Sequence, residues 1–396
     1  VTIYLDNHAT TRIDPEVIDV MVRFMETHYA NPGSTTHEAG RIVASLVENA
    51  IENIAAYLNA ARDEIVITSG ATESNNLAIL GVALHPKQRR RRIVSVVTEH
   101  RALLDPLSRL ERLGFEVIRL PVLANSNDLS GSIDLELVSE SINENTALVS
   151  VMLANNEIGT IQPIREIAEI CRRFEVPFHT DASQAVGRLP VDVEGLGVDL
   201  MSFSAHKFYG PKGVGGLYVR QAPKPVRLQA QIVGGGQQSN LRSGTLNSVG
   251  IIGMAKALEI ASLNLARELT EQSYLRNLLW DLLNEKIAEL GLNGPRWRNT
   301  DSPTLSRLPG NLNVCFPKVD GQSLMLELPE LAVSSGSACT SADPHPSHVL
   351  IGIGLSEDQA RASLRFGIGR FNTESEIRQT ADWLGRVHAK LASFVA

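Results

Sequence analysis

Between residues 63 and 220, short apolar runs alternate with stretches of helical period. Positions 65–68, 93–97, 115–120, 147–152, 176–180 and 200–203 are apolar runs bounded by polar or turn-forming residues, and they read as strands. Residues 164–174 instead place Ile164, Ile167, Cys171 and Phe174 on one helical face. This alternation predicts an α/β fold, with a mostly parallel central sheet covered by helices on both faces. In open sheets of that kind, ligands bind beyond the carboxyl ends of the strands. A glycine-rich turn over 210–216 leads into a further strand at 217–220.

Beyond residue 262 the texture changes. A long helical stretch, roughly 263–290, leads to a Gly/Pro-rich region. Positions 312–316, 331–334 and 362–366 then read as strands among helices. The expectation is a large α/β domain over 16–262. A smaller α+β domain would combine 1–15 with 263–396.

Composition narrows the class. The chain has 396 residues, 43% hydrophobic and 20% charged, which is ordinary for a globular protein. A net charge of −7 argues against a general nucleic-acid or membrane binder. No uninterrupted apolar run reaches the ~18 residues of a membrane span. Three scattered cysteines, Cys171, Cys315 and Cys339, suit a reducing compartment rather than a disulfide framework or a metal site. The chain enters 3–5 without a signal-peptide pattern, so a cytoplasmic location is expected.

The candidate chemistry lies after the predicted strands. Lys207 follows the run 198–203 within Ser204-Ala-His206-Lys207. A lysine that forms a Schiff base must lose its proton easily, and desolvation favours that. Ser69-Gly-Ala-Thr72 follows the strand at 65–68 and precedes a helix expected to start near Asn75. It reads either as an anion cup or as a helix cap with nothing bound. Asp181 and Gln184 follow 176–180, His100 follows 93–97, and Asn156 follows 147–152. Asp181 suits a pyridinium partner or a cap, and His100 a stacking, proton-moving imidazole or a structural one. Asn156 offers an amide or simply a turn. The run Arg89–Arg92 reads as a solvated helix end or as a contact for an acidic partner, and His345 and His348 form an isolated H-x-x-H.

Taken together, the chain resembles a cysteine desulfurase of the NifS/IscS class, in the class-V aminotransferase family of fold-type I pyridoxal-phosphate enzymes. The motifs are Tyr4-Leu-Asp-Asn-His-Ala-Thr-Thr11, Thr68-Ser-Gly-Ala-Thr-Glu-Ser74, Thr98-Glu-His100, Asn155-Asn-Glu-Ile-Gly159, Asp181-Ala-Ser-Gln184, Arg242-Ser-Gly-Thr245 and Ser334-Ser-Gly-Ser-Ala-Cys-Thr-Ser341. The resemblance implies pyridoxal 5'-phosphate on Lys207, Asp181 at its ring nitrogen, Gln184 at its ring hydroxyl and His100 on its face. Thr72, Ser204 and His206 would hold the phosphate, joined by Thr245 from a second subunit. Asn156 would lie beside the cofactor and, with Arg365, bind the substrate carboxylate. Cys339, on a loop over about 334–346 rich in small residues, would take the sulfur of L-cysteine as a persulfide.

The resemblance further implies a homodimer with its active site near the subunit interface, and an iron–sulfur scaffold or another protein as sulfur acceptor. The same chemistry could feed tRNA thiolation or DNA sulfur modification, or act on selenocysteine. A non-enzymatic interaction protein is the remaining alternative. Two positions depart from the pattern: His8 stands where a small residue is usual, and Ser239-Asn240 where charged residues are.

Overall fold

The computed structural model describes residues 2–297, 306–335 and 345–394. In chain order the strands are β1 (Ile3–Tyr4), β2 (Ile65–Thr68), β3 (Arg92–Val96), β4 (Glu116–Leu120), β5 (Thr146–Ser150), β6 (Phe178–Asp181), β7 (Leu200–Ser204), β8 (Gly215–Val219), β9 (Gly291–Leu292), β10 (Asn311–Cys315), β11 (Leu331–Ala332), β12 (Ser334–Ser335) and β13 (Ser363–Gly367). Seven form one sheet in the order β2-β8-β7-β6-β5-β3-β4. Strands β4, β3, β5, β6 and β7 run parallel, whereas β8 is antiparallel to both β7 and β2. Strands β5 to β8 are buried along their whole length, including the polar His179, Thr180 and Asp181 of β6.

Glycine lets β8 fit. A Cβ on Gly216 would lie 2.3 Å from the Phe203 ring, and one on Gly215 would lie 2.7 Å from Gly70 Cα. The turn at Gly70 therefore packs directly on the sheet. A second sheet, β12-β13-β10-β9, is antiparallel, and β1 pairs in parallel with β11. The expected strand over 331–334 is thus two short strands serving different sheets. Ile3 and Leu5 of the N-terminal arm pack into the core of the second sheet with Leu312, Val314 and Phe366.

The long helix starts earlier than its sequence suggests and spans Ser248–Lys286. Gly250 and Gly253 look like loop residues, but they lie where neighbours press in. A Cβ on Gly253 would meet Met21 Sδ at 2.6 Å. Asn247 caps the start through Gly250 N at 3.0 Å. Residue 262 falls inside this helix, whose first half packs into the main core (Ile251, Met254, Leu258) and whose second half packs into the other (Leu275, Leu279, Leu283). By length and hydropathy alone this helix could cross a membrane, but it serves both cores.

The arginine run at 89–92 is not a helix end. It forms the loop into β3, where Arg90 donates to the carbonyls of Thr146 and Glu175 and Arg92 pairs with Glu116 at 2.8 Å. Two N-terminal helices, Pro15–Thr27 and Glu38–Tyr57, complete the main core.

Candidate active site

Beyond the carboxyl ends of the parallel strands lies a cleft of about 600 Å³. Lys207, His100, Thr72, Asn156, Asp181, Gln184, Ser204, His206 and Arg365 all line it. Thr245 does not: it is exposed, in the loop before the long helix. Cys339 lies outside the described residues.

Lys207 closes a single helical turn after β7. Its Nζ donates to the carbonyls of His8 at 2.7 Å and Ala9 at 2.8 Å. The N-terminal arm therefore forms one wall of the cleft. Arg188, buried beneath it, donates to the carbonyls of Lys207 and Asn7 at 2.9 and 2.6 Å.

Asp181, at the end of β6, is buried and held on both oxygens. Asn75 Nδ2 donates to Oδ2 at 2.7 Å, while the amide and hydroxyl of Ser183 donate to Oδ1 at 2.9 and 2.5 Å. Behind it His179 lies between Ser150 and Ser202, and burial lowers its pKa. Glu99 is buried nearby and accepts from Met152 N at 2.7 Å. Burial raises its pKa well above the usual carboxyl range, opposed by the Met152 amide.

His100 caps the helix Arg101–Arg112, its Nδ1 accepting from Ala102 N at 3.0 Å. The proton of the neutral ring therefore sits on Nε2, and burial lowers the ring's pKa. His206 is also neutral, its pKa lowered to about 4 by burial, with Lys207 and Lys212 adding to the effect.

The anion cup differs from the sequence reading in one respect. The helix begins at Ala71, not near Asn75, and its cap is Gly70 rather than Thr72. Gly70 has φ +145°, a conformation that favours glycine, and Glu73 folds back to accept from Ser69 N at 2.8 Å. The glycine turn and this hydrogen bond start the helix one turn early. Its first-turn amides have no intrahelical partner, and they face the cleft beside Thr72 and Ser204.

Arg365, in β13, is 1% exposed. It donates to Asp6 Oδ1 at 2.8 Å, to Ser334 Oγ at 3.1 Å and to the carbonyl of Asn156 at 3.1 Å. Its Nε is buried and has no partner among the described residues. His8 Nε2 is likewise buried and without a partner among the described residues.

Sequence reasoning missed Asn75, Ser183, Asp6 and Glu157. Asn75 had a signal, because it stands one turn after Ala71 on the helix that starts the cup. Among the described residues no group of His, Cys, Asp and Glu is placed to hold a metal ion. His348 instead donates to the carbonyl of Glu99 at 2.8 Å. The described thiols, Cys171 and Cys315, have pKa values raised by burial, which keeps them protonated.

Residues 3–380 match the family described as "Aminotransferase class-V". A protein named "Cysteine desulfurase IscS" from Anaeromyxobacter dehalogenans is 46% identical over 391 residues, covering 99% of this chain and 93% of that one. A protein named "Probable cysteine desulfurase, mitochondrial" from Dictyostelium discoideum is 45% identical over 382 residues, covering 96% of this chain and 82% of that one. The solved structure titled "NIFS-LIKE PROTEIN" superposes with a TM-score of 0.87 at 35% identity, covering 99% of this chain and 100% of that one. The structure titled "SspA in complex with cysteine" gives 0.79 at 34% identity, covering 94% and 100%.

Proposed function

Because this chain belongs to the class-V aminotransferase family, among its cysteine desulfurases, we propose that it is a pyridoxal-phosphate enzyme that turns L-cysteine into L-alanine and keeps the sulfur on Cys339 as a persulfide. The observation that carries this reading is the convergence of Lys207, Asp181 and Arg365 in one cleft.

The residues present fit the cofactor. A glycine-shaped cradle with unpaired helix amides suits a phosphate, and a fully hydrogen-bonded buried carboxylate suits a pyridinium nitrogen. Lys207 would hold the cofactor covalently, Gln184 would meet its ring hydroxyl, and Thr72, Ser204 and His206 would meet its phosphate. Asn156 would lie beside it, and His100 would cover its face. Once bound, the cofactor withdraws electrons from the substrate's α-carbon and so weakens the bond between its β-carbon and sulfur.

The rest is work for side chains. Arg365, whose Nε has no partner among the described residues, would take the substrate carboxylate, and Asn156 would orient the same group. Lys207, released by the substrate's amine, and neutral His100 would move protons at Nζ and Nε2. The Cys339 thiolate would attack the substrate sulfur. One carbon–sulfur bond breaks, one sulfur–sulfur bond forms, and the β-carbon gains a proton and becomes a methyl group. The electron pair that leaves the sulfur stays with that carbon, so no outside reductant enters until the persulfide is passed on.

We place the chain in a homodimer, with Thr245 of each copy completing the other's phosphate site. Thr245 is exposed, and the exposed apolar side chains Ile18, Val22, Met25 and Val233 support a second copy. Residues 16–262 would form the cofactor domain, and 1–15 with 263–396 the smaller one. The use we assign is sulfur supply to iron–sulfur cluster assembly through a protein acceptor, in a reducing compartment such as the cytoplasm.

Incubation with L-cysteine and a thiol reductant tests the reading. Alanine and sulfide should appear in equal amounts. Full cofactor occupancy without alanine would refute it.

A further inference from the structure

Glu157 follows Asn156 in the loop after β5 and is 6% exposed. Its main chain is tied down on both sides. The amide donates to Asn155 Oδ1 at 2.8 Å, and the carbonyl accepts from Asn311 and Asn313 of β10 at 3.1 and 3.2 Å. Its carboxylate accepts the hydroxyl of Ser347. Ser347 caps the helix His348–Gly352, its Oγ accepting from Val349 N and Leu350 N at 3.2 Å each. The next residue, His348, donates to the carbonyl of Glu99, beside His100.

In sequence, Ser347 stands eight positions after Cys339. Five positions before Cys339, Ser334 donates to Asp6 at 2.8 Å and accepts from Arg365 at 3.1 Å. The segment that carries Cys339 is therefore flanked on both sides by residues bonded to the substrate pocket. On the upstream side the bond is to Arg365 itself. On the downstream side it is to Glu157, next to Asn156.

We propose that Glu157 is a positioning residue, whose carboxylate accepts the Ser347 hydroxyl and so registers the downstream end of the Cys339 segment against the loop that carries Asn156. This rests on the desulfurase reading above and specifies how the sulfur acceptor is aligned with the substrate.

The hydrogen-bond inventory fixes the direction of this contact. The Ser347 oxygen already accepts two amides, so its single proton must go to Glu157. An ionised Glu157 accepts that proton in a charge-assisted hydrogen bond, stronger than one to the protonated acid. Burial raises the Glu157 pKa to about 7, opposed by Ser347 and by Arg365, the charged group that acts on it from β13. The other groups bonded to it, Asn155, Asn311, Asn313 and Ser347, are uncharged. Alignment should therefore improve as pH rises through about 7.

The test is single-turnover persulfide loading of Cys339 in the holoenzyme, followed by mass spectrometry across that pH range, with L-cysteine binding read from the cofactor's visible spectrum. Ser347→Ala should slow loading by about tenfold, the scale of a lost buried hydrogen bond, and Glu157→Gln, which keeps an uncharged acceptor, should slow it by less. The double variant should be no slower than Ser347→Ala alone, because the two residues share one interaction. Ser347→Thr should restore loading. Cysteine binding should stay within about twofold, and Glu157→Gln should lose the limb that rises through about 7. Loading at the wild-type rate in both single variants would overturn the inference. So would loss of cysteine binding in proportion to loading, or survival of the pH limb in Glu157→Gln. A wild-type enzyme that never loads Cys339 would instead bring down the desulfurase reading, and this inference with it.

Discussion

Asn75 Nδ2 donates to Asp181 Oδ2 at 2.7 Å, and Asn75 is fully buried. The contact joins the helix of the proposed phosphate cup to the carboxylate proposed to face the cofactor ring. One residue thus couples the two ends of the proposed cofactor site.

Asn75→Ala should therefore weaken cofactor retention. A buried hydrogen bond to a charged group contributes about 1.5–3 kcal/mol, so the affinity should fall roughly tenfold or more. Release of cofactor on dialysis, followed by visible absorbance, measures it. Retention equal to wild type would show that Ser183 alone is enough to hold Asp181.

Asp6 pairs with Arg365 at 2.8 Å while that guanidinium is 1% exposed. Asp6→Ala should raise the KM for L-cysteine more than it lowers kcat, because it loosens the group proposed to bind the substrate carboxylate and leaves the proposed cofactor contacts intact. The accompanying stability loss should be about 1–3 kcal/mol, reduced from a fully buried pair because Asp6 is partly exposed. Steady-state kinetics and denaturant unfolding report the two effects separately.

The pH dependence of stability has a defined sign at His206. Its folded pKa, about 4, lies below the ordinary 6.5. Between those values the unfolded chain binds more protons than the folded one. Stability is therefore intact above 6.5 and is lost as pH falls toward about 4. Denaturant midpoints should drop over that window, and His206→Asn should make the slope shallower. An unchanged slope would mean that His206 is solvated in the folded protein.

The sequence made the parallel sheet legible because its strands are buried on both faces. β2, β5 and β7 lie within two residues of their predicted positions. It was less informative where tertiary contacts decide. Gly250 and Gly253 look like helix breakers, yet they lie inside the long helix, where the capping Asn247 side chain crowds Gly250 and Met21 and Pro211 press on Gly253. Asp14-Pro15 was a legible helix start that composition hid, with Asp14 Oδ1 accepting from Glu16 N at 3.0 Å.

In the site, the residues at strand ends were readable because sheet topology alone carries them to one edge. Their partners were not. Asn75, Asp6 and Glu157 act across 106, 359 and 190 positions of sequence, and no local pattern encodes such pairings.

Lys207 and Cys339 should separate cleanly by substitution. Lys207→Ala should lose the covalently held cofactor and all alanine production. Cys339→Ser should keep the cofactor's visible band and lose sulfur transfer. A Cys339→Ser protein that still turns cysteine over at the wild-type rate would remove that thiol from the reaction.

The most direct test of the central claim is one turnover with sulfur-labelled L-cysteine and no reductant, followed by peptide mass spectrometry and alanine quantification. The account predicts one labelled sulfur on Cys339 for each alanine released. Alanine without label on Cys339, or label with no alanine, would contradict it.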